Sequence, residues 1–499
     1  MPTGRRRVLV FVVDGLRPDS ITAEDTPTLF RLRGEGVDGT NSHAVFPTVT
    51  RVNAATISTG TQPGTHGLVG NQMYVPAVED RRAFDTGDYR RLLELERITG
   101  GRLLQAPTLA ERLHARGLSL AGVSSGSTGS AFLLNPKARS GIGALVNGYI
   151  DPGKTVAYPA DVSEAILAKF GPAPVKEAGG ARLDASVGWT QRVLRDYVLP
   201  ELQPDVVINW LTEPDHSQHH IGVGSPGARE ALANDDREIA QVLATEALGL
   251  AASTSVLVLS DHGFTTNTAG VNVAGALVEA GLKAAPDSTD VILASSGQAV
   301  ALYVLGHDAG RIARLARFIQ SREWGGVIFA AGRVEGAFPL ELIQVGNRER
   351  SPDLLFTFPW TSRPNAFGVA GTDLANVNAG GVPYVSDHGS MSPWNVRNTF
   401  LALGRGLQAA HDGARTRGQR GRGADGARPA RHHRGRRPGR PRRHRGARRR
   451  ARPRAGSGRH ARPHRGGRAL PRRAPGVGGG RAPLRGQELA RYLATSLSR

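Results

Sequence analysis

The chain has 499 residues, enough for one large α/β domain with an insertion or for two domains. Its formal net charge of +21 and its pI near 11.2 suggest a nucleic-acid or membrane partner. Residues 411–499, however, hold 28 arginines, no lysine and three acids, so residues 1–410 carry a net charge of −4 and the suggestion fails for them. The chain has no cysteine, which excludes disulfides and thiolate metal ligands.

The first apolar run, residues 8–13, is β-branched and aromatic without polar alternation, which is typical of a buried strand. It follows three arginines and so mimics a secretion signal. The run is too short for one, no small-residue cleavage site follows, and Asp14 ends it. No run is long enough to span a membrane, and we therefore expect a cytoplasmic protein.

Strand-like runs then alternate with helical periodicity. A helix is predicted from Pro27, at its first helical position, to Arg33. Further helical patterns lie at about 107–116, 184–199, 228–247 and 272–281, and strand-like runs at 119–123, 205–211 and 255–260. This alternation predicts an α/β fold with a central, mostly parallel sheet and helices on both faces. Such sheets bind ligands at the carboxyl ends of their strands.

Residues 264–385 contain few candidate ligands, and we expect them to form a smaller, cap-like insertion. They hold one helical pattern and two short apolar runs, at about 309–322, 298–305 and 353–358. The core is then predicted to consist of residues 1–263 and 386–410, with its last strand at 399–404.

Acids and histidines follow several of the predicted strands. Asp14 comes directly after the first, although alone it is equally a turn residue. Asp215 and His219 are four residues apart, so both can face one metal ion from a single helical turn or loop. The alternative is a polar surface loop. Asp261 and His262 are adjacent to each other at another strand end.

The Asp-His-Gly sequence of residues 261–263 recurs at residues 387–389 and adds His388 to the candidates. Carboxylate oxygens and imidazole nitrogens in this mixture suit zinc or a similar divalent ion. If these residues converge, they form a metal site.

Thr50 opens a probable helix that runs to Ser58. A threonine at this place is most often only a cap. Alternatively, the helix N-terminus stabilises an alkoxide and binds a phosphate, and metal coordination completes the activation of Thr50 as a nucleophile. Asn53, one turn on, is placed to donate a hydrogen bond to a phosphate oxygen. The segment alone leaves both interpretations open.

Together these segments resemble the alkaline phosphatase superfamily, and most closely its type I phosphodiesterase/nucleotide pyrophosphatase branch. The resemblance covers about residues 6–406 and is most specific in 46–74, which contains the nucleophile segment and then Thr59-Gly60, Pro63, His66-Gly67, Asn71 and Met73-Tyr74. It implies an alkaline-phosphatase-like fold and two divalent metal ions, expected to be Zn²⁺.

The resemblance also implies a role for each candidate. Thr50 rather than Thr48 matches the nucleophile, and Asn53 matches the residue that contacts a phosphate oxygen. The ligands of the nucleophile-side metal are matched by Asp14, Thr50, Asp261 and His262, and those of the other metal by Asp215, His219 and His388.

The implied activity is hydrolysis of a small phosphorylated substrate through a phospho-threonine intermediate, by a phosphodiesterase or nucleotide pyrophosphatase. Arg51-Val52 replaces the aromatic-Pro pair usual in the family, which leaves nucleotide specificity open. A phosphonate hydrolase of the phosphonoacetate type or a phosphomonoesterase is therefore the alternative. The Cys/Ser-x-Pro-x-Arg pattern of sulfatases is absent from the sequence.

The tail, residues 411–499, is rich in Arg, Gly and Pro and has two interpretations. In the first interpretation the tail is a disordered polycation. The protein would then belong to a different class, as a nucleic-acid-binding protein that acts through this tail. In the second interpretation the tail is the product of a frameshift. The codons of residues 419–428, read one base later, permit the sequence Asn-Val-Asp-Val-Ala-Pro-Thr-Val-Leu. This sequence resembles the segment that follows the last core strand in the family. We prefer the second, so nucleic-acid binding by the tail is not expected to be functional.

Overall fold

The structure, a computed structural model, describes residues 7–148, 157–175, 180–245 and 254–404. The tail at 411–499, and with it both hypotheses about that tail, lies outside these ranges. Among the helices in these ranges, none is both long and apolar enough to cross a membrane.

The strands and helices follow the predicted alternation. The strands are β1 Arg7–Val13, β2 Val37–Asp38, β3 Gln72–Met73, β4 Phe84–Asp85, β5 Leu120–Ser124, β6 Ala144–Asn147, β7 Ala157–Tyr158, β8 Val206–Leu211, β9 Thr254–Leu259, β10 Thr265–Val271, β11 Val291–Ser296, β12 Ala299–Val304, β13 Ile328–Ala330, β14 Phe338–Pro339, β15 Leu354–Thr357, β16 Thr361–Pro364, β17 Ala370–Asn376, β18 Ser386–Asp387 and β19 Phe400–Leu403. The α-helices are α1 Pro27–Glu35, α2 Thr50–Thr59, α3 Pro63–His66, α4 Tyr89–Ile98, α5 Leu109–His114, α6 Thr128–Leu134, α7 Ala160–Phe170, α8 Asp184–Val193, α9 Asp215–Ile221, α10 Pro226–Ala244, α11 Val273–Glu279, α12 Ala309–Gln320 and α13 Pro393–Val396. Helix α8 continues as π-helical turns over Leu194–Leu202.

The central sheet has eight strands in the order β2-β19-β9-β1-β8-β5-β6-β7. The five strands from β9 to β6 are parallel to one another. The antiparallel pairings, β2 with β19, β19 with β9, and β6 with β7, lie towards the two edges. The prediction of a mostly parallel central sheet is confirmed.

Both faces of this sheet are covered by helices, because its central strands are apolar on both sides. In β1, Val8, Val10 and Val12 belong to one buried cluster, together with side chains of α2, α4, α5 and α6. The intervening residues of β1 belong to a second cluster with side chains of α1, α7, α8 and α10. Full burial of each such side chain stabilises the fold by about 1.5–3 kcal/mol. The predicted coverage of both faces is confirmed.

Residues 264–385 form two smaller sheets, with strand orders β16-β17-β10-β18 and β11-β12-β15-β13-β14. The second sheet has its own buried cluster with side chains of α11 and α12. Strand β18 belongs to the predicted core, and it pairs with β10 of the predicted insertion. The core and the insertion are therefore joined by this pairing at the predicted boundary. A role of residues 264–385 as a cap stays a prediction.

Asp373 on β17 makes a pH-dependent contribution to stability. Its side chain is buried and accepts a hydrogen bond from the backbone N–H of Leu374 (2.9 Å). Burial raises the pKa of Asp373 to about 8. The unfolded chain loses this proton near pH 4, whereas the native state keeps it until about pH 8. Its contribution to the free energy of unfolding is therefore fully present below pH 4 and is lost between pH 4 and pH 8.

We expect Asp373→Asn to remove this loss, which amounts to at most about 1.4 kcal/mol for each pH unit. Urea unfolding of the wild type and the variant between pH 5 and pH 8 measures it. The exposed Asp80→Asn is the matched control and should keep the wild-type slope. An unchanged slope in Asp373→Asn would contradict the assignment.

Candidate metal centre

Three neighbouring parallel strands deliver acids to one edge of the central sheet. Asp14 directly follows β1, Asp261 and His262 lie just after β9, and Asp215 opens α9 after β8. Because β9, β1 and β8 are adjacent, their carboxyl ends bring these side chains together. The site lies where the sequence placed it, at the strand ends.

The turn after Asp14 depends on glycine. Gly15 has φ of 67°, a left-handed conformation that side chains disfavour. A Cβ at this position would lie 3.0 Å from the ring of Phe264. The backbone N–H of Gly15 donates to Asp261 Oδ1 (3.1 Å), which fixes one carboxylate relative to the next strand.

Asp215 and His219 are one turn apart on the same side of α9. The His219 Nε2 atom lies 3.4 Å from Asp215 Oδ1. The start of α9 is held by the buried Glu213, whose carboxylate accepts hydrogen bonds from the backbone N–H groups of Leu183 (2.7 Å) and Ser217 (3.0 Å). Burial raises the pKa of Glu213 to about 7.

The nucleophile segment is bound to the segment that carries His388. The Thr48 hydroxyl donates to the carbonyl of Ser390 (2.9 Å) and accepts from the N–H of Gly389 (3.2 Å). Thr50, by contrast, is the first residue of α2, and its Oγ1 lies 3.3 Å from His262 Nε2. The hydroxyl of Thr48 is thus occupied, and that of Thr50 faces the cluster.

All three histidines of the cluster are held in one tautomer. Each Nδ1 lies at hydrogen-bond distance from a backbone carbonyl: His262 from Gly263 (3.0 Å), His219 from Ser386 (3.0 Å) and His388 from Thr48 (2.9 Å). A carbonyl only accepts, so Nδ1 carries the hydrogen and the Nε2 lone pair is left for a ligand. The rings of His262 and His388 are stacked, with centroids 3.6 Å apart.

Three buried carboxylate oxygens in this cluster lack a hydrogen-bond partner among the described residues: Asp14 Oδ1, Asp215 Oδ1 and Asp261 Oδ2. They surround His262 Nε2 at 3.5, 4.0 and 3.0 Å respectively. Burial, and then repulsion by Asp261 and Asp215, raises the pKa of Asp14 well above its usual value. Buried acids this close to one another ionise only beside a positive charge, and the donor set fits a divalent cation.

The acceptor atoms form overlapping groups whose members lie within 4.8 Å of one another. One contains Asp14, Asp261 and His262, and another contains Asp215, His262 and His388. Asp215 Oδ1 is also 3.4 Å from the Nε2 atoms of both His219 and His388. All seven predicted ligands therefore converge, with Asp215 between the two predicted sets.

Asn53 does not face this cluster with a free polar group. Its Oδ1 accepts from the N–H of Val45 (3.0 Å), and its Nδ2 donates to the carbonyl of Val49 (3.1 Å). Both halves of the carboxamide therefore hold the loop before α2. The contact of Asn53 with a phosphate oxygen stays a prediction.

Asn71 and Asp387 are two residues to which the sequence reasoning gave no role. Asn71 Oδ1 accepts from the backbone N–H of Arg51 (3.1 Å), which places its carboxamide beside the start of α2. Asp387 Oδ1 accepts from the N–H of His388 (2.8 Å) and lies 3.7 Å from His219 Nδ1. The recurrence of the Asp-His dipeptide is a sequence feature that points to Asp387. For Asn71, the only such feature is its position within residues 46–74.

Trp210 on β8 is a third residue without a predicted role. Its Nε1–H donates to Asp14 Oδ2 (2.9 Å), the oxygen of that carboxylate not directed at His262. Such a bond orients a metal-ligating carboxylate. Trp210 lies in an apolar run, and from the sequence this run predicts only that the residue is part of the hydrophobic core.

Comparison with known proteins identifies the family. The family model described as type I phosphodiesterase / nucleotide pyrophosphatase matches residues 8–360. The chain belongs to this family. The family predicted from the sequence is thereby confirmed.

Individual relatives are more distant. The venom phosphodiesterase of Naja atra is 38% identical over 69 residues, and the match spans 13% of this chain and 8% of the venom protein's length. Among solved structures, the phosphonoacetate hydrolase of Sinorhizobium meliloti 1021 aligns with a TM-score of 0.57 and 18% identity, over 80% of this chain and 90% of that one. Murine ectonucleotide pyrophosphatase / phosphodiesterase 5 aligns with a TM-score of 0.53 and 16% identity, over 80% and 88%. These likenesses confirm the alkaline-phosphatase-like fold.

We expect Zn²⁺ to raise the unfolding temperature of the metal-stripped protein. A cation about 100-fold above its Kd stabilises by about 2.7 kcal/mol. In Asp215→Asn this shift should fall to less than half, because Asp215 lies between the two groups of acceptor atoms. Differential scanning fluorimetry with and without Zn²⁺ measures the shift. Asp80→Asn should respond like the wild type, and a full zinc response in Asp215→Asn would contradict the site.

Proposed function

We propose that the protein is a phosphodiesterase of the nucleotide pyrophosphatase type, with Thr50 as nucleophile and two zinc ions. The observation that carries the proposal is the position of the Thr50 hydroxyl. It is buried at the N-terminus of α2, 3.3 Å from His262 Nε2 and within the convergent acids and histidines. The neighbouring Thr48 hydroxyl is fully engaged by residues 389 and 390.

The seven residues divide between the two ions as the family resemblance implies. Asp14, Thr50, Asp261 and His262 would hold the ion on the nucleophile side. Asp215, His219 and His388 would hold the other. When bound, the ions lower the pKa of the coordinated hydroxyl and neutralise charge on the phosphoryl and departing oxygens.

The reaction is a double displacement at phosphorus. Thr50 Oγ1 loses its proton and forms a P–O bond while the bond to the leaving alcohol breaks, and that alcohol departs with a proton. Water then attacks the phospho-threonine, which releases a phosphate monoester and restores the Thr50 hydroxyl. The backbone N–H groups at the start of α2 stabilise negative charge on the phosphoryl oxygens.

Thr50→Ala should abolish hydrolysis of bis-p-nitrophenyl phosphate by the zinc-loaded protein, with a loss of about 10³-fold or more, because it removes the nucleophile. Thr50→Ser should retain part of the activity. Release of p-nitrophenolate measures the rate, and the exposed Thr40→Ala is the matched control. Wild-type activity in Thr50→Ala would rule out the mechanism.

Hydrolysis of a phosphonate is the second candidate. Arg51, a cation directly after Thr50, favours substrates with additional negative charge. The solved phosphonoacetate hydrolase with a similar fold was crystallised with phosphonoacetate and with phosphonoformate. Cleavage of phosphonoacetate at the same site would break a carbon–phosphorus bond in place of a P–O bond.

We expect a diester to be hydrolysed faster than a monoester or phosphonoacetate. Side-by-side kcat/KM values for bis-p-nitrophenyl phosphate, p-nitrophenyl phosphate and phosphonoacetate measure the preference, with free phosphate as the readout for phosphonoacetate. A higher kcat/KM for phosphonoacetate would replace the first candidate by the second. Both candidate functions require that Thr50→Ala lose all three activities.

A further inference from the structure

Arg51 is positioned at the start of α2 by a small hairpin, β3–β4. Its backbone N–H donates to the side chain of Asn71, immediately before β3 (3.1 Å). Its guanidinium Nη2 donates to Oδ1 of Asp85, at the end of β4 (2.9 Å). The same hairpin therefore fixes both the backbone and the charged end of the residue that follows Thr50.

The guanidinium has unused hydrogen-bonding capacity. A guanidinium carries five N–H donors, and Asp85 takes a bond from Nη2 alone, while the buried Nε has no partner in the part of the chain that the structure describes. The Arg51 side chain is 18% exposed, whereas that of Asp85 is 59% exposed. Gly87 leaves space here, because a Cβ at that position would lie 3.0 Å from Arg51 Nη2.

Tyr384 lies beside the metal centre. Its ring packs against that of His219 at a centroid distance of 4.7 Å, and the residue is half exposed. Arg51 directly follows Thr50 in the sequence, so its partly exposed side chain places a cation beside the start of α2.

We propose that Arg51 binds a second anionic group of the substrate, a carboxylate or a phosphate outside the phosphoryl group that Thr50 attacks. The inference rests on the proposed function, since it takes Thr50 as the position of the reacting phosphorus. A guanidinium with a free edge matches both groups by paired hydrogen bonds, and partial burial strengthens them. Asp85 orients Arg51 and competes with the substrate for its charge.

Three phosphonates that differ in one substituent test this: phenylphosphonate, 4-carboxyphenylphosphonate and benzene-1,4-diphosphonate. Calorimetry gives their Kd values for the zinc-loaded protein, independently of turnover. We expect the added carboxylate or phosphonate to tighten binding about tenfold in the wild type, the size of one charge-assisted pair. Comparison of the Kd values of the two substituted compounds shows whether Arg51 prefers a carboxylate or a phosphate-like group.

Variants assign the effect to Arg51. Arg51→Gln should reduce the preference to within about twofold, Arg51→Lys should keep part of it, and Asp85→Asn should increase it. Arg82→Gln, on an exposed arginine, is the matched control. Equal binding of the three compounds by the wild type, or an equal loss for all three in Arg51→Gln, would overturn the inference.

The binding test of Arg51 and the hydrolysis test of the proposed function can fail independently of each other. If the wild type shows the binding preference but does not hydrolyse bis-p-nitrophenyl phosphate, the proposed reaction fails and the role of Arg51 in binding stands. If it hydrolyses the diester but binds the three phosphonates equally, only the role of Arg51 fails.

Discussion

The structure depends on three carboxylate oxygens buried without partners at one edge of the central sheet, those of Asp14, Asp215 and Asp261. Removing a carboxylate from water costs several kcal/mol unless it is paired. The parallel arrangement of β9, β1 and β8 places these acids side by side, where Asp261 and Asp215 raise the cost of ionising Asp14. A protein that buries acids in this way is built to receive positive charge, and its stability and its chemistry are linked through the same atoms.

The surrounding residues limit the movement of these ligands. Backbone carbonyls of residues 48, 263 and 386 fix the tautomer of every histidine in the cluster, and Trp210 fixes the second oxygen of Asp14. The carbonyl of His219 in α9 accepts a hydrogen bond from the N–H of Val385, directly before β18 (3.0 Å), so His388 keeps its place relative to Asp215. Under the proposed function, a cation would therefore meet side chains that are already oriented, which reduces the ordering cost of binding.

Most of this fold could be predicted from the sequence because its central strands are long apolar runs. The strands β1, β8 and β9 were predicted within one or two residues, and the acids after them followed from where the runs end. Helix α6, Thr128–Leu134, gave no signal because all its residues are buried, so it lacks the polar face that produces a helical period. Strand β2 has only two residues and is defined by its partner β19.

Side-chain partners across the chain were harder to predict than strand ends. Asn53 was chosen because it lies one turn from Thr50, a local relation that sequence spacing shows. Its carboxamide instead holds the preceding loop, and the carboxamide beside Thr50 comes from Asn71, which a turn and a hairpin bring back to α2. The division into core and insertion is likewise crossed by the pairing of β10 with β18, which no local pattern reveals.

The bond between Thr48 and His388 joins residues that are 340 positions apart. Contacts of such separation raise the contact order and form late, since the entropy of closing the intervening chain must be overcome first. During synthesis from the N-terminus, six of the seven predicted ligands, Thr50 among them, are made long before His388. Under the proposed function, the nascent chain would therefore complete its catalytic centre only after almost all of the described sequence has been made.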